Sequence, residues 1–267
     1  RRDQSRLLVL EREHNRLHHA VFTDLPAWLK PNDLLVFNDT RVIPARLWAK
    51  RLPGGGRTEV LLLHPKGENE WEVLVRPGRK IRTGQKLVFG GEKELVAEVV
   101  ARPPAGGRVL RFNRYGDELR ASFEELGEVP LPPYIKEPGR AERSRMRERY
   151  QTVYARHEGS AAAPTAGLHF TPELLAEIRA RGVRTAFLTL HIGLDTFRPV
   201  RTEQIEEHKM HSEEFRISPE VAAAVAETRA AGGRVIAVGT TVTRALESAA
   251  RENGEVVPGT GRTELFI

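Results

Sequence analysis

The sequence predicts an α/β protein with a largely parallel sheet, together with a separate stretch built of short strands. Three observations lead there. Strands and helices alternate after residue 160. A different texture runs from Ala45 to Phe112, where short alternating segments are separated by Gly/Pro turns. Before it, one continuous apolar run, Leu34-Leu35-Val36-Phe37, reads as a buried strand that delivers Asn38-Asp39-Thr40-Arg41 at its end.

The elements follow in order. Arg6–Leu10 and Leu17–Phe22 flank a polar stretch and predict a hairpin. Asp24-Leu25-Pro26 predicts a short helix that stops before Pro31. Thr58–Leu63, Trp71–Arg76, Lys86–Phe89, Glu94–Val100 and Arg108–Phe112 predict strands of a small barrel or sandwich. Glu118–Leu126 reads as a helix ended by Gly127, and Leu131-Pro132-Pro133-Tyr134 as stiff extended chain. Lys136–Arg149 is charged without an apolar period and reads as a loop. Thr171-Pro172-Glu173 is a helix start: a capping hydroxyl, Pro at the first position and an early acid. Val183–Ile192 and Arg234–Val238 read as strands, and Pro219–Ala231 and Thr241–Arg251 as helices. Glu264–Ile267 reads as a strand cut off mid-element, and both ends of the chain read as incomplete.

Composition narrows the function classes. With 40% hydrophobic and 29% charged residues, the 267-residue chain has the make-up of a soluble globular protein of one or two domains. No apolar run approaches the ~20 residues of a membrane helix. There is no Cys, which excludes a disulfide scaffold and cysteine-ligated zinc and fits a reducing cytoplasm. The net charge is +6, and Arg outnumbers Lys 34 to 8. Guanidinium forks bind phosphate bidentately, so a polyanion partner fits this surface.

Polar clusters stand just beyond strand ends, where α/β proteins place their sites. Asn38, Asp39 and Arg41 follow the first buried strand, although the same residues suit a turn. Ala161–Phe170 is rich in small residues that let a ligand approach the backbone, and it adds the Thr165 hydroxyl and the His169 imidazole. The helix beginning near Thr171 turns its positive end toward that loop. Thr189-Leu190-His191 ends another strand. In Glu207–Glu213, His208 and His211 share a face if helical, with Glu213 beside them. A zinc site of His191, His208 and His211 is discounted, because the helical zinc motif with its i, i+4 pair and intervening Glu is missing. Gly239, Thr240, Thr241 and Arg244 follow a strand at a helix start, where free backbone N–H groups bind carboxylate or phosphate. An ordinary N-cap reads the same way. No phosphate-binding or dinucleotide glycine motif is present.

Several of these segments resemble the motifs of one family. Asp33–Arg46, Gly127–Ile135, Tyr150–Ala155, Ala161–Phe170, Thr189–His191, Glu207–Glu213 and Val235–Glu247 are similar, in order, to those of S-adenosylmethionine:tRNA ribosyltransferase-isomerases of queuosine biosynthesis. The resemblance implies a mixed, largely parallel sheet domain interrupted by an inserted small β-barrel domain. It divides the chain into a discontinuous α/β domain at 1–45 and 133–267 and a barrel at 46–132. It implies transfer and isomerisation of the ribosyl group of S-adenosylmethionine onto 7-aminomethyl-7-deazaguanine at the tRNA wobble position, releasing adenine and methionine. S-adenosylmethionine is then a substrate, with no cofactor and no metal. A cytoplasmic, monomeric enzyme is expected. His169, His191 and Thr165 are the catalytic candidates, with His169 favoured as base. Asn38, Asp39, Arg41, His208, His211, Glu213, Gly239, Thr240, Thr241 and Arg244 are the substrate-binding candidates. Asp195 and Met146 depart from the family pattern, which has Gly and Asp there, and the family continues beyond Ile267. A metal hydrolase and a non-catalytic RNA-binding module are the competing readings.

Overall fold

The computed structural model describes residues 1–90, 95–104, 107–131, 143–193 and 212–267. In chain order these form strands β1 (Arg6–Glu11), β2 (Arg16–Val21), β3 (Leu34–Asn38), β4 (Thr40–Val42), β5 (Arg46–Leu52), β6 (Arg57–Pro65), β7 (Glu70–Arg76), β8 (Lys86–Phe89), β9 (Leu95–Ala101) and β10 (Arg108–Phe112). Helices α1 (Gly116–Leu126) and α2 (Arg143–Arg149) follow, then β11 (His157–Ser160), α3 (Pro172–Ala180), β12 (Arg184–Leu190), β13 (Glu213–Ile217), α4 (Pro219–Ala230), β14 (Val235–Ala237), α5 (Thr240–Ala249) and β15 (Gly259–Thr263). The described residues fall into two compact units. One holds Arg1–Arg41, Gln151–Ile192 and the described part of Pro199–Ile267; the other holds the described part of Val42–Tyr150.

The first unit is built on a five-stranded sheet in the order β14-β3-β12-β13-β15. β14, β3 and β12 are parallel, whereas β13 and β15 join antiparallel. Every residue of β3 is buried, because it lies between two parallel neighbours. Phe37 anchors the core beneath its end, with ring centroids 4.8 Å from Tyr154, 4.9 Å from Phe170 and 5.5 Å from Phe187. α3 starts as its sequence dictates. The Thr171 hydroxyl accepts from the Leu174 N–H at 3.2 Å, Pro172 fills the first turn, and Leu174, Leu175 and Ile178 are buried. α4 repeats the device with Ser218 and Pro219. The β1–β2 hairpin forms as expected, and the residues after it make a 3-10 turn, Phe22–Trp28.

The second unit is a closed antiparallel barrel in the order β10-β7-β6-β5-β8-β9. Alternate residues fill its interior, among them Leu47, Val60, Leu62, Leu87, Phe89, Leu110 and Phe112. Closure leaves no free sheet edge and settles the choice between barrel and sandwich. α1 adds Phe123, packed edge-on against Trp71 and Phe112.

Two expectations are corrected. Part of the charged Lys136–Arg149 stretch is helical, not loop: α2 is held by the ion pair of Arg147 with Glu124, and the Arg147 guanidinium also donates to the Glu124 carbonyl at 3.1 Å. Met146 lies in this helix, and its carbonyl accepts from the Tyr150 N–H at 2.9 Å. Glu264–Ile267 is not a strand. The pairing of β15 with β13 ends at Thr263 opposite Glu213, and the Thr263 hydroxyl then accepts from the Leu265 N–H.

Candidate active site

The C-terminal ends of β3 and β12 meet the first turn of α5, and one side chain ties them together. Asn38, at the end of β3, is buried. Its amide donates to the Leu190 carbonyl at 3.0 Å and to the Thr241 hydroxyl at 3.2 Å. Its carbonyl oxygen accepts from the Leu190 N–H at 3.0 Å and the Thr40 N–H at 3.1 Å. The end of β12, the first turn of α5 and the start of β4 are thereby held to the end of β3. Unpaired polar groups at a buried strand end are costly, so this saturation is what makes the polar turn stable.

His191 follows β12. Its backbone N–H donates to the Glu214 carbonyl at 2.9 Å, and its Nδ1 lies 2.8 Å from the Thr40 hydroxyl oxygen. A Cβ placed on Gly159 of β11 would fall 2.9 Å from Nδ1 and Cε1, so the ring rests against bare backbone. His157, Thr189, His191, Glu214, Phe215, Arg216 and Thr260 line a cavity of about 230 Å³. Asp39 is buried beside it, accepting from the Thr189 hydroxyl at 2.8 Å, with His157 Nε2 3.7 Å from its other oxygen. Burial holds the His191 imidazole below its ordinary pKa; Glu214 and Asp39 pull it up, and His157 pushes it down. His191 is therefore neutral at neutral pH, with a lone pair to offer. Burial first, and then the Asp39 charge, push the Tyr154 phenol well above its ordinary value, so it stays protonated.

The small-residue loop lies against α5. Gly239 has φ +91°, in the region that favours glycine, and a Cβ there would sit 3.1 Å from the Ala166 methyl. Gly167 is required more strictly, since its Cβ would lie 2.0 Å from the Tyr154 hydroxyl. Thr165–His169 form a 3-10 turn, with Thr165 exposed. His169 donates through Nδ1 to the Ala166 carbonyl at 3.2 Å, and its ring lies 5.1 Å from that of Phe22.

The other sequence-derived candidates are placed as follows. Asn38, Asp39 and His191 are brought together, with Thr241 bonded to Asn38; Gly239 and Thr240 begin α5. Arg41 points elsewhere, its Nε 3.8 Å from Glu158. Arg244 and Glu213, expected to meet a ligand, are both buried and pair with each other, while the Arg244 guanidinium also donates to the Thr263 carbonyl. His208, His211 and Asp195 lie outside the described residues. Thr40 stood in the polar cluster after the first buried strand but not among the site candidates, and His157, Glu214, Arg216 and Thr260 escaped the sequence reading. Gly159 was the one available signal, an isolated glycine inside a charged run.

Comparison with known proteins decides what this arrangement belongs to. All of residues 1–267 match the family model described as queuosine biosynthesis protein. The chain belongs to this family. It is 53% identical over 270 residues to the S-adenosylmethionine:tRNA ribosyltransferase-isomerase of Moorella thermoacetica, covering 100% of this chain and 76% of that protein. It is 52% identical over 266 residues to the Caldanaerobacter subterraneus enzyme of the same name, with the same coverage. The crystal structure of the S-adenosylmethionine tRNA ribosyltransferase of Thermotoga maritima is 34% identical, with a TM-score of 0.44, covering 100% of this chain and 72% of that one. The resemblance drawn from the motifs thus holds across the chain.

Proposed function

We propose that this chain transfers and isomerises the ribosyl group of S-adenosylmethionine onto 7-aminomethyl-7-deazaguanine at the tRNA wobble position, giving epoxyqueuosine tRNA and releasing adenine and methionine. Identity at the 50% level to enzymes so named, over the full length of this chain, carries the reading. The reaction needs a base for the proton beside the sulfonium, an acid for departing adenine and a neutral amine as nucleophile. His191, neutral and facing a polar cavity, is our candidate base in preference to His169. The His169 ring is tied to its own turn and to Phe22, and we assign it to proton transfer on the ligand's other side, with Thr165. At about 230 Å³ the cavity suits a sugar or a base rather than the whole of S-adenosylmethionine. Gly239-Thr240-Thr241 at the start of α5 would hold the methionine carboxylate. Arg41, half exposed, would meet RNA phosphate. His208 and His211 remain substrate-binding candidates. We further propose that 1–45 with 133–267 and 46–132 act as the catalytic and inserted domains of a cytoplasmic monomer.

The test is release of adenine and methionine from S-adenosylmethionine in the presence of tRNA carrying 7-aminomethyl-7-deazaguanine. His191→Ala should lower the rate by roughly 10²–10⁴-fold with the circular dichroism unchanged. His169→Ala should lower it as well. Near-normal turnover by His191→Ala overturns the base assignment. No adenine release by the unaltered chain overturns the activity.

A further inference from the structure

We propose that Thr40 is a positioning residue that fixes His191 as the Nδ1–H tautomer, leaving Nε2 as the proton-accepting atom. The inference rests on the reading of His191 as base and adds to it the identity of the reacting nitrogen.

The argument is one of donors and acceptors. The Thr40 hydroxyl oxygen has two neighbours: His191 Nδ1 at 2.8 Å and the His157 carbonyl oxygen at 3.4 Å. A hydroxyl carries one proton and two lone pairs, and a carbonyl can only accept. Only with the hydroxyl proton on the His157 carbonyl are both contacts hydrogen bonds. The oxygen is left to accept from the imidazole, so Nδ1 carries the ring proton and Nε2 the lone pair. Thr40 cannot turn away from this duty. It is completely buried, its backbone N–H is held by Asn38, and β4 is paired with β11, which carries both His157 and Gly159. The ring is fixed as well: its backbone bonds to Glu214, and Gly159 abuts its Nδ1 edge.

The charged groups around the ring do not take over the role. Asp39 receives the Thr189 hydroxyl and faces His157. Glu214 and Arg216 stand on the cavity wall. A carboxylate on Nδ1 would stabilise the imidazolium and raise the basicity of the ring. A hydroxyl orients the ring without that effect. His191 then stays unprotonated at neutral pH, which suits removal of a proton already acidified by an adjacent sulfonium.

Nitrogen-15 NMR of the histidine-labelled chain, through long-range proton–nitrogen couplings, shows which nitrogen of His191 is protonated. The unaltered chain should give the Nδ1–H pattern. Thr40→Val keeps the shape and removes the acceptor; the ring should shift to a mixture of tautomers, and kcat should fall roughly 10–100-fold with the KM for S-adenosylmethionine within about threefold of normal. Thr40→Ser should restore both the pattern and the rate. An Nε2–H pattern in the unaltered chain overturns the proposal even if Thr40→Val fails to fold, and so does an unshifted tautomer in a folded Thr40→Val. If the tautomer responds but His191→Ala keeps its activity, the tautomer lock stands and the base assignment falls.

Discussion

At the residue scale, the half-buried imidazole of His191 makes stability depend on pH. The unfolded chain protonates this ring near its ordinary value of 6.5, whereas the folded chain does so only at lower pH, chiefly because of burial. In between, the unfolded state binds more protons, so stability falls as pH drops below about 6.5 and is complete above it. Replacing His191 by Asn should flatten this dependence. Urea midpoints at about pH 5 and about pH 7.5 check it, and an unchanged slope in the variant would place the proton uptake elsewhere. Sequence alone singled out Asn38, Asp39 and His191 as candidates, because each ends or follows an apolar strand run. It read Thr40 only as part of a polar turn and missed His157; their partnership joins positions 117 residues apart through the pairing of β4 with β11. No local pattern encodes that pairing.

At the scale of elements, the buried Glu213–Arg244 pair joins β13 to α5. Its charges have lost their water and have each other instead. Arg244→Met should destabilise the chain by about 3–5 kcal/mol, because it removes the cationic partner of a buried carboxylate. Glu213→Leu combined with Arg244→Met should recover most of that loss, since an apolar pair leaves no charge to solvate. Denaturant titration of the single and double variants decides it. Helix starts were legible in the sequence because a hydroxyl, a proline and an acid cap α3 and α4 in plain order. β13 was not. Its Glu-Glu-Phe-Arg-Ile alternates buried and exposed, but a buried glutamate breaks the apolar rhythm. Glu264–Ile267 misled for the opposite reason, having strand-like residues and no partner strand among the described residues.

At the scale of the molecule, the barrel was readable as texture and not as order. Short alternating strands with glycine turns announce an antiparallel β unit, whereas closure through β9 and β10 is a matter of long-range pairing. The arginine-rich surface was readable as well, and it bears on the proposed tRNA substrate. Phosphate contacts release counterions, so affinity for tRNA should drop at least tenfold between about 50 and about 200 mM salt. Filter binding across that range measures it, and a flat response would remove the arginines from the interface. The molecule also has an order of assembly written into its connectivity. β3 emerges from a ribosome well before the strands that flank it: Asp39 meets Thr189 across 150 residues of chain, and the cavity closes only with Thr260. At ~5–20 residues per second, that first interval alone is roughly 8–30 s. The barrel strands, Arg46 to Phe112, are complete in sequence during that wait. A prematurely ended translation product therefore carries the barrel and the polar turn after β3, but no cavity.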